Sequence, residues 1–250
     1  MISFGRSLLL ALLPLAAWEL AVRALAVPAY ILPGPVRIAG ALIANRQVLA
    51  QNALITLGEM LAGLACGVVL GVACALAMAY SPAARRMLRP TLLVAQALPV
   101  FAVAPLLVIW FGFGLASKVV MASLIIFFPV ASAFHDGLAR ADQGLVDLAR
   151  LYGASESGLL RFIRIPAALP GLATGLRVAA AVAPIGAIVG EWVGSAGGLG
   201  FLMLQANARM QTDMVFAALT ILVAVALILY ALVDRLMARL VPWAPETVGR

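Results

Sequence analysis

Long apolar runs dominate this sequence and restrict it to one class of fold. Of its residues, 65% are hydrophobic and 11% are charged, and the mean hydropathy is +1.11. Soluble domains are about 45–50% apolar and about 25% charged, so this chain carries too little polar surface to be one. A helix that spans a bilayer needs about 20 apolar residues and satisfies its own backbone. The composition predicts an all-α integral membrane protein, with room in the chain for about six transmembrane helices.

The apolar runs that fit this requirement can be placed along the chain. They cover residues 8–26, 55–80, 91–111, 117–134, 172–193 and 215–236. The first run begins like a signal peptide but has no convincing small-residue cleavage site, so we interpret it as a retained helix. Within it, Glu19 and Arg23 are four residues apart and are expected to pair. We treat residues 1–250 as one transmembrane domain, with a core at about 52–236 and a loop at about 135–168.

The distribution of basic residues indicates the orientation of the chain. Cytoplasmic segments of membrane proteins are enriched in Lys and Arg. With a cytoplasmic amino terminus, the inside segments hold Arg6, Arg85, Arg86, Arg89, Arg140, Arg150, Arg161, Arg164, Arg235, Arg239 and Arg250, and the outside segments hold Arg37, Arg46, Lys118 and Arg209. This bias predicts that both termini are cytoplasmic. The net charge of +7 is explained by topology and indicates no nucleic-acid partner, because no basic patch is interleaved with aromatic residues.

Small residues recur every four positions in the second and fifth apolar runs. They are Gly63, Gly67 and Gly71 in the second run, and Gly171, Gly175, Ala179 and Ala183 in the fifth. Faces of this kind let helices approach closely in a membrane. The spacing therefore predicts a tightly packed bundle. Cys66 and Cys74 lie within the second run, where packing is the default interpretation and a disulfide or metal site is not expected.

Prolines within the spans can kink helices, and kinked helices often line a pathway. Pro99 and Pro105 interrupt the third run, Pro129 the fourth and Pro184 the fifth. Each proline frees a backbone carbonyl that needs another partner. Simple bending within the bundle explains any single proline equally well, but several in the central spans favour a pathway.

Charged residues inside the spans are costly in lipid and therefore also point to function. Arg177 lies low in the fifth run, and Glu191 lies near its outer end beside Trp192. We predict that these three residues face a central pathway. The alternative for Glu191 is a solvated position at a helix end, and the same alternative applies to Glu59 and Asp213.

Residues 147–166, DLARLYGASESGLLRFIRIP, form a polar island between two apolar runs. A helix with Leu145, Leu148 and Tyr152 on one face is predicted to stop at Gly153, because glycine tolerates the left-handed helix terminus. Ser155 is predicted to cap a second short helix that ends near Pro166. The result is a bent helix pair at the membrane surface. An ordinary cytoplasmic loop with a helical hairpin is the plain alternative.

Sequence signatures of catalysis and cofactor binding are missing. His135 is the only histidine, and one histidine makes neither a zinc site nor a protease dyad. The run GSAGGLG at residues 194–200 follows no predicted strand and precedes no Lys-Ser/Thr pair, so we interpret it as an outer turn and not as a P-loop. No cofactor is expected in this chain.

The polar island resembles the cytoplasmic loop signature of binding-protein-dependent ABC importer permeases. That signature reads Glu-Ala-Ala, three residues, Gly, nine residues, Ile, one residue, Leu-Pro. The matching positions here are Asp147, Leu148, Ala149, Gly153, Ile163, Ile165 and Pro166. The spacing agrees throughout, and the replacements at Asp147 and Ile165 are conservative. Leu148 replaces a small residue, which weakens any expectation of close packing at that position.

Further segments between about residues 32 and 236 resemble the nitrate, sulfonate and taurine branch of these permeases. They are LPGP at 32, ALPVFAVAPLLVIWFGFG at 97, FFPV at 127, LPGLATGLRVA at 169, GEWVG at 190 and GLGFL at 198. Within the branch, FHDGL at 134 and NARMQTD at 207 are most similar to permeases for thiamine-precursor pyrimidines.

The resemblance implies a type I ABC importer permease fold and a mechanism without covalent chemistry in this chain. Two identical permease copies would form the pore in the inner membrane, and an extracytoplasmic binding protein would deliver a small polar solute. Two separate ATPase subunits would bind ATP and Mg²⁺, since this chain has no Walker lysine. The polar island would be the coupling helix, with its signature residues and Ala154 in contact with the ATPase.

Other function classes predict different behaviour. An ion-coupled secondary transporter or channel would use Glu191, Arg177 and the broken helices, and its flux would follow an ion gradient without ATP. An intramembrane enzyme would need a paired nucleophile and base, or a metal cluster, which the sequence does not offer. An ABC exporter is disfavoured by family resemblance, because exporters usually carry their ATPase on the same chain.

Overall fold

The computed structural model describes the backbone of residues 4–97 and 99–243, and their side chains except at 4–11 and 95–97. The described backbone is almost entirely helical. The helices are α1 (Phe4–Ala24), α2 (Pro35–Ala44), α3 (Arg46–Tyr80), α4 (Pro82–Ala97), α5 (Val100–Phe111), α6 (Leu115–Ala139), α7 (Gln143–Leu151), α8 (Glu156–Leu159), a π-helical turn (Leu160–Arg164), α9 (Ile165–Gly194), α10 (Leu199–Ala208) and α11 (Thr212–Leu240). The prediction of an all-α membrane protein is confirmed.

Four of the described helical stretches are long and apolar enough to cross a membrane. They are α3, α6, the continuous 39-residue stretch Glu156–Gly194, and α11. They correspond to the predicted second, fourth, fifth and sixth spans, and the first predicted span lies largely on α1. The third predicted span is wrong as a single helix. It is divided between α4 and α5, because Pro99 has an extended backbone (φ −67°, ψ 107°) and caps α5, whereas Pro105 lies inside α5.

Helix α6 is held between α3 and α9 by the glycines that the sequence singled out. A β-carbon added at Gly71 would lie 2.9 Å from the carbonyl oxygen of Phe127 in α6. On the opposite side, a β-carbon at Gly175 would lie 2.9 Å from the carbonyl oxygen of Pro129. Real β-carbons do not approach so closely, so only glycine permits these backbone distances. The predicted close packing of small-residue faces is confirmed.

Helix α9 connects two chemically different regions. Its 30 residues correspond to about 45 Å at 1.5 Å per residue. The last two residues of the polar island are the first two residues of α9, and the turn at 195–198 follows the last residue of α9. A rigid helix of this length fixes the separation of the two regions.

The short helix α2, which the sequence did not predict, is joined to α1 by Glu19. The Glu19 carboxylate accepts a hydrogen bond from Arg23 Nε at 2.7 Å, as the four-residue spacing predicted. It also accepts a hydrogen bond from the Val36 amide at 3.1 Å, in the first turn of α2. Carboxylates are favourable at helix N-termini because the amides there lack partners.

Candidate functional site

The first half of the polar island ends in a tight helix stop. Gly153 has φ +83°, a left-handed conformation that is unfavourable for other L-residues. Its amide donates to the Arg150 carbonyl at 2.9 Å, and the Ala154 amide donates to the Ala149 carbonyl at 3.0 Å. These two bonds form a Schellman motif, which satisfies the last carbonyls of α7. The predicted stop at Gly153 is confirmed, and the motif assigns backbone roles to Ala149 and Ala154.

The second half is held to the first by a cap and an ion pair. The Ser155 hydroxyl accepts a hydrogen bond from the Gly158 amide at 3.2 Å, which confirms the predicted cap. The Arg150 guanidinium lies 2.8 Å from Glu156 and 3.6 Å from Asp147. Arg150 therefore ties α7 to α8 across the glycine turn.

The predicted helix end near Pro166 is wrong. Ile165 is helical (φ −62°, ψ −52°), and α9 continues through Pro166. The helix tolerates proline because the preceding turn is π-helical, with the Ile165 amide bonded to the Leu160 carbonyl five residues earlier. The wider turn avoids the clash that a proline ring makes with the carbonyl four residues before it. The polar island is thus continuous with the 39-residue stretch that ends at Gly194.

The island has one anchored face and one exposed apolar face. Leu159 of the island and Val146, which precedes it, are 1% and 0% exposed, and Leu160 and Ile165 pack against a buried cluster of the bundle that contains Phe134 and Leu138. The exposed apolar side chains are Leu145, Leu148, Leu151, Tyr152 and Phe162, and Leu151 and Tyr152 are 85% and 86% exposed. Leu148, at the position where the signature has a small residue, is half exposed. Exposed apolar patches on proteins are often sites of interaction with a partner protein or a membrane.

A buried charged cluster lies at the other end of α9, and the sequence did not predict it. Lys118 Nζ donates to Glu59 Oε1 at 2.5 Å and to Ser195 Oγ at 2.7 Å. Glu59 and Lys118 are 2% and 7% exposed. The other oxygen of Glu59, Oε2, is buried and has no hydrogen-bond partner among the described residues. The alternative of a solvated helix end is therefore wrong for Glu59, and Lys118 is a buried residue in the first turn of α6.

Glu191 belongs to the same buried region. Its carboxylate accepts hydrogen bonds from Thr56 Oγ1 at 2.6 Å, from the Gly200 amide at 2.5 Å and from the Phe201 amide at 3.3 Å. It therefore caps the N-terminus of α10. Thr56 Oγ1 in turn accepts from the Leu199 amide at 2.8 Å. We call Thr56, Glu59, Lys118, Glu191 and Ser195 the charged cluster.

The sequence contained a signal for the charged cluster. Each charge ends a stripe of residues that are four apart, and these stripes are the faces that pack in the bundle. The stripes run Glu59-Gly63-Gly67-Gly71 in α3, Lys118-Ala122-Ile126-Val130 in α6 and Ala179-Ala183-Ala187-Glu191 in α9. Extending the small-residue stripes of α3 and α9 in steps of four residues would have found Glu59 and Glu191, and the packing face of α6 ends in the same way at Lys118.

The residues predicted to face the pathway lie in different surroundings. Glu191 is 1% exposed and fully engaged, Trp192 is 44% exposed, and Arg177 pairs with Asp234 of α11 at 2.6 Å. Pro99 and Pro105 lie at the start of α5 and within it. The facing of these residues toward a pathway stays a prediction.

Comparison with known proteins identifies the family to which this chain belongs. Residues 67–244 match the family described as binding-protein-dependent transport system inner membrane component. A probable ABC transporter permease protein of Haemophilus influenzae is 48% identical over 90% of this chain and 91% of its own length. The formylaminopyrimidine transport permease protein ThiX of Halalkalibacterium halodurans is 35% identical over 90% of each chain.

The fold also has a solved counterpart. A chain of the MetNI methionine ABC transporter in an inward-facing conformation superimposes with a TM-score of 0.67 and 19% identity, covering 78% of this chain and 97% of that one. The long apolar helices, the signature spacing of the polar island and the family match agree. This chain therefore belongs to the family of binding-protein-dependent transport system inner membrane components and is an ABC transporter permease.

Proposed function

We propose that this permease is the membrane subunit of an ATP-driven importer in the cytoplasmic membrane, with both termini and the polar island in the cytoplasm. Two copies form the translocation pore, two separate ATPase subunits bind ATP and Mg²⁺, and an extracytoplasmic binding protein delivers the solute. The observation that carries this proposal is the polar island, because it is a capped, ion-paired knob with an exposed apolar face.

The island has the properties that a mechanical lever needs. Its glycine stop and serine cap fix the angle between α7 and α8. Its helical continuity through Pro166 joins it to α9 without a flexible joint. A rigid-body shift imposed on the island by a closing ATPase dimer is therefore transmitted along α9 toward the charged cluster.

A substitution on the exposed apolar face of the island tests whether the island contacts an ATPase. Tyr152→Ser removes an exposed ring without touching the Schellman bonds, which use only the backbone. We expect this variant to lose co-purification with the ATPase and ATP-dependent uptake in proteoliposomes. Tyr30→Ser is the matched control, because Tyr30 is 59% exposed and its carbonyl is bonded to Thr212 at the other end of α11 from the island. Equal ATPase binding by both variants would refute the assignment.

The same proteoliposomes separate this function from a secondary transporter that relies on Glu191 and Arg177. Uptake that requires ATP and the ATPase subunit supports the importer. Uptake that follows an imposed ion gradient without the ATPase supports the secondary transporter.

For the substrate, we propose a thiamine-precursor pyrimidine. The similarity of FHDGL and NARMQTD to that subgroup supports this choice, as does the 35% identity to a permease named for formylaminopyrimidine. An aliphatic sulfonate, taurine or nitrate is the alternative from the same branch. Uptake of labelled aminopyrimidine and labelled taurine by the complete transporter decides between them.

A further inference from the structure

A cavity lined by cationic side chains lies between the polar island and the bundle. It has a volume of about 150 Å³, and its polar lining consists of Arg85, His135, Gln143 and Arg164. These residues come from α4, α6, α7 and the π-helical turn. One water needs about 10–15 Å³ of such space, so this basic cavity has room for a phosphate group.

A second cavity adjoins the first. It has a volume of about 310 Å³ and shares Arg85 and Arg164 with the basic cavity. Arg150 and Glu156 also line it. Glu156 is the carboxylate of this lining, and it lies 2.8 Å from the Arg150 guanidinium. Glu156 is thus ion-paired with Arg150, which also lies 3.6 Å from Asp147, and among the described residues it forms no ion pair with either of the two shared arginines.

The donors of the basic cavity have capacity left for a ligand. Arg85 Nε donates to the Met78 carbonyl at 3.1 Å, which leaves the other guanidinium nitrogens of Arg85 free of that bond. Among the described residues, neither Arg85 nor Arg164 forms an ion pair. His135 Nδ1 is buried and has no hydrogen-bond partner among them. The cavity is therefore lined by two arginines that form no ion pair among the described residues and by an imidazole with an unsatisfied nitrogen. Asp136, the next residue after His135, is a carboxylate that interacts electrostatically with His135, but it is not part of the cavity lining.

This combination favours an anion. Neighbouring like charges repel, and a bound anion removes the repulsion. The guanidinium fork matches phosphate oxygens through paired, charge-assisted hydrogen bonds. Basic pockets between transmembrane helices on the cytoplasmic side bind anionic headgroups. We propose that the basic cavity is a binding site for a phosphate group, supplied by an anionic phospholipid of the cytoplasmic leaflet or by free phosphate.

Binding here has a structural consequence beyond the proposed transport function. The cavity lining includes the π-helical turn of the island together with parts of α4, α6 and α7. A phosphate group that contacts Arg164 and Arg85 together ties the island to the bundle. The chemistry of this site does not depend on the transport proposal, although the lipid source depends on the cytoplasmic position of the island.

The test is native mass spectrometry of the purified full-length chain in micelles that contain phosphatidylglycerol or phosphatidylcholine. We expect the wild type to retain phosphatidylglycerol in preference to phosphatidylcholine. Arg164→Gln should weaken this retention about tenfold, the equivalent of one charge-assisted hydrogen bond. Arg161→Gln is the matched control, since Arg161 is in the same turn but lies over the Phe162 ring and outside the cavity lining. Arg164→Lys, which keeps the charge, should retain part of the binding.

Inorganic phosphate added as a competitor shows whether the bound phosphate group comes from a lipid or from free phosphate. Displacement of phosphatidylglycerol indicates that free phosphate occupies the same site, and retention indicates a lipid site. Hydrogen exchange of residues 156–166 gives a second readout, because the bound anion should protect this segment in the wild type and not in Arg164→Gln. Equal retention by Arg164→Gln and Arg161→Gln would overturn the proposal. So would a wild type that binds neither phosphatidylglycerol in preference to phosphatidylcholine nor inorganic phosphate.

Discussion

The polar island and the charged cluster lie at opposite ends of α9 and use the same devices, a helix cap and an ion pair. In the island, the side chains of Arg150 and Glu156 are 46% and 64% exposed. In the cluster, those of Lys118 and Glu59 are 8% and 3% exposed. Water competes for the first pair and not for the second. The island therefore depends mainly on its backbone hydrogen bonds, whereas the buried ion pair of the cluster holds helices of the bundle together.

The largest expected effect is the removal of the buried cation. Lys118→Met leaves Glu59 buried without its partner, and breaking a buried pair in this way costs about 3–5 kcal/mol. We expect a matching loss in the free energy of unfolding in detergent. Arg46→Met is the control, because Arg46 is an exposed cation at the first residue of α3.

A second variant shows whether the loss comes from the unpaired charge. Adding Glu59→Gln to Lys118→Met removes both charges of the pair, and it should recover a large part of the lost stability. A Lys118→Met protein as stable as Arg46→Met would contradict the contrast between cluster and island.

The next largest loss of stability is expected at the glycine contacts between α3 and α6, which lie between the charged cluster and the island. Gly71→Ala places a carbon 2.9 Å from the Phe127 carbonyl oxygen and from Val130 Cβ. Overpacking of this kind costs about 1–3 kcal/mol. Gly58→Ala in the same helix is the control, because a β-carbon there has nothing within 4 Å. Thermal unfolding should separate the two variants, and equal melting temperatures would show that α3 and α6 can move apart at little cost.

A smaller effect is expected at the helix stop of the island. Gly153→Ala forces an alanine to adopt φ +83°, which costs about 1–2 kcal/mol. Nothing lies within 4 Å of the added carbon, so the cost is conformational and not steric. Hydrogen exchange of the Ala154 amide, which is bonded to Ala149, should become faster. Gly153→Asn should be closer to the wild type, because asparagine tolerates the left-handed region. Identical exchange in the alanine and asparagine variants would argue against this explanation.

The smallest effect is expected for the exposed ion pair. Arg150→Gln removes the link to Glu156 and Asp147, and exposed pairs of this kind contribute about 0–1 kcal/mol. Exchange across residues 150–158 should increase slightly, and the increase should be smaller at high salt because salt already weakens the pair. Arg140→Gln controls for the loss of one positive charge. An effect as large as that of Lys118→Met would remove the distinction between the two regions.

Local features of the island could be predicted from sequence because neighbouring residues decide them. The stop at Gly153 and the cap at Ser155 each depend on contacts within a few residues, and both were correct. The helix end at Pro166 was wrong because a π-helical turn, which proline rules do not consider, relieves the clash. The third span failed at Pro99, where an apolar run and a helix break coincide.

The membrane class, most of the spans and the small-residue faces could be predicted from the sequence, because apolar length and four-residue spacing are properties of single helices. Tertiary structure decided which charges meet. Lys118 follows Glu59 by 59 residues, and Glu191 follows Lys118 by 73 residues. Considered alone, each resembles a charged residue at a solvated helix end. They become one buried cluster only when α3, α6 and α9 pack through their small-residue faces, because that packing excludes water and brings each charge to polar partners from other parts of the chain.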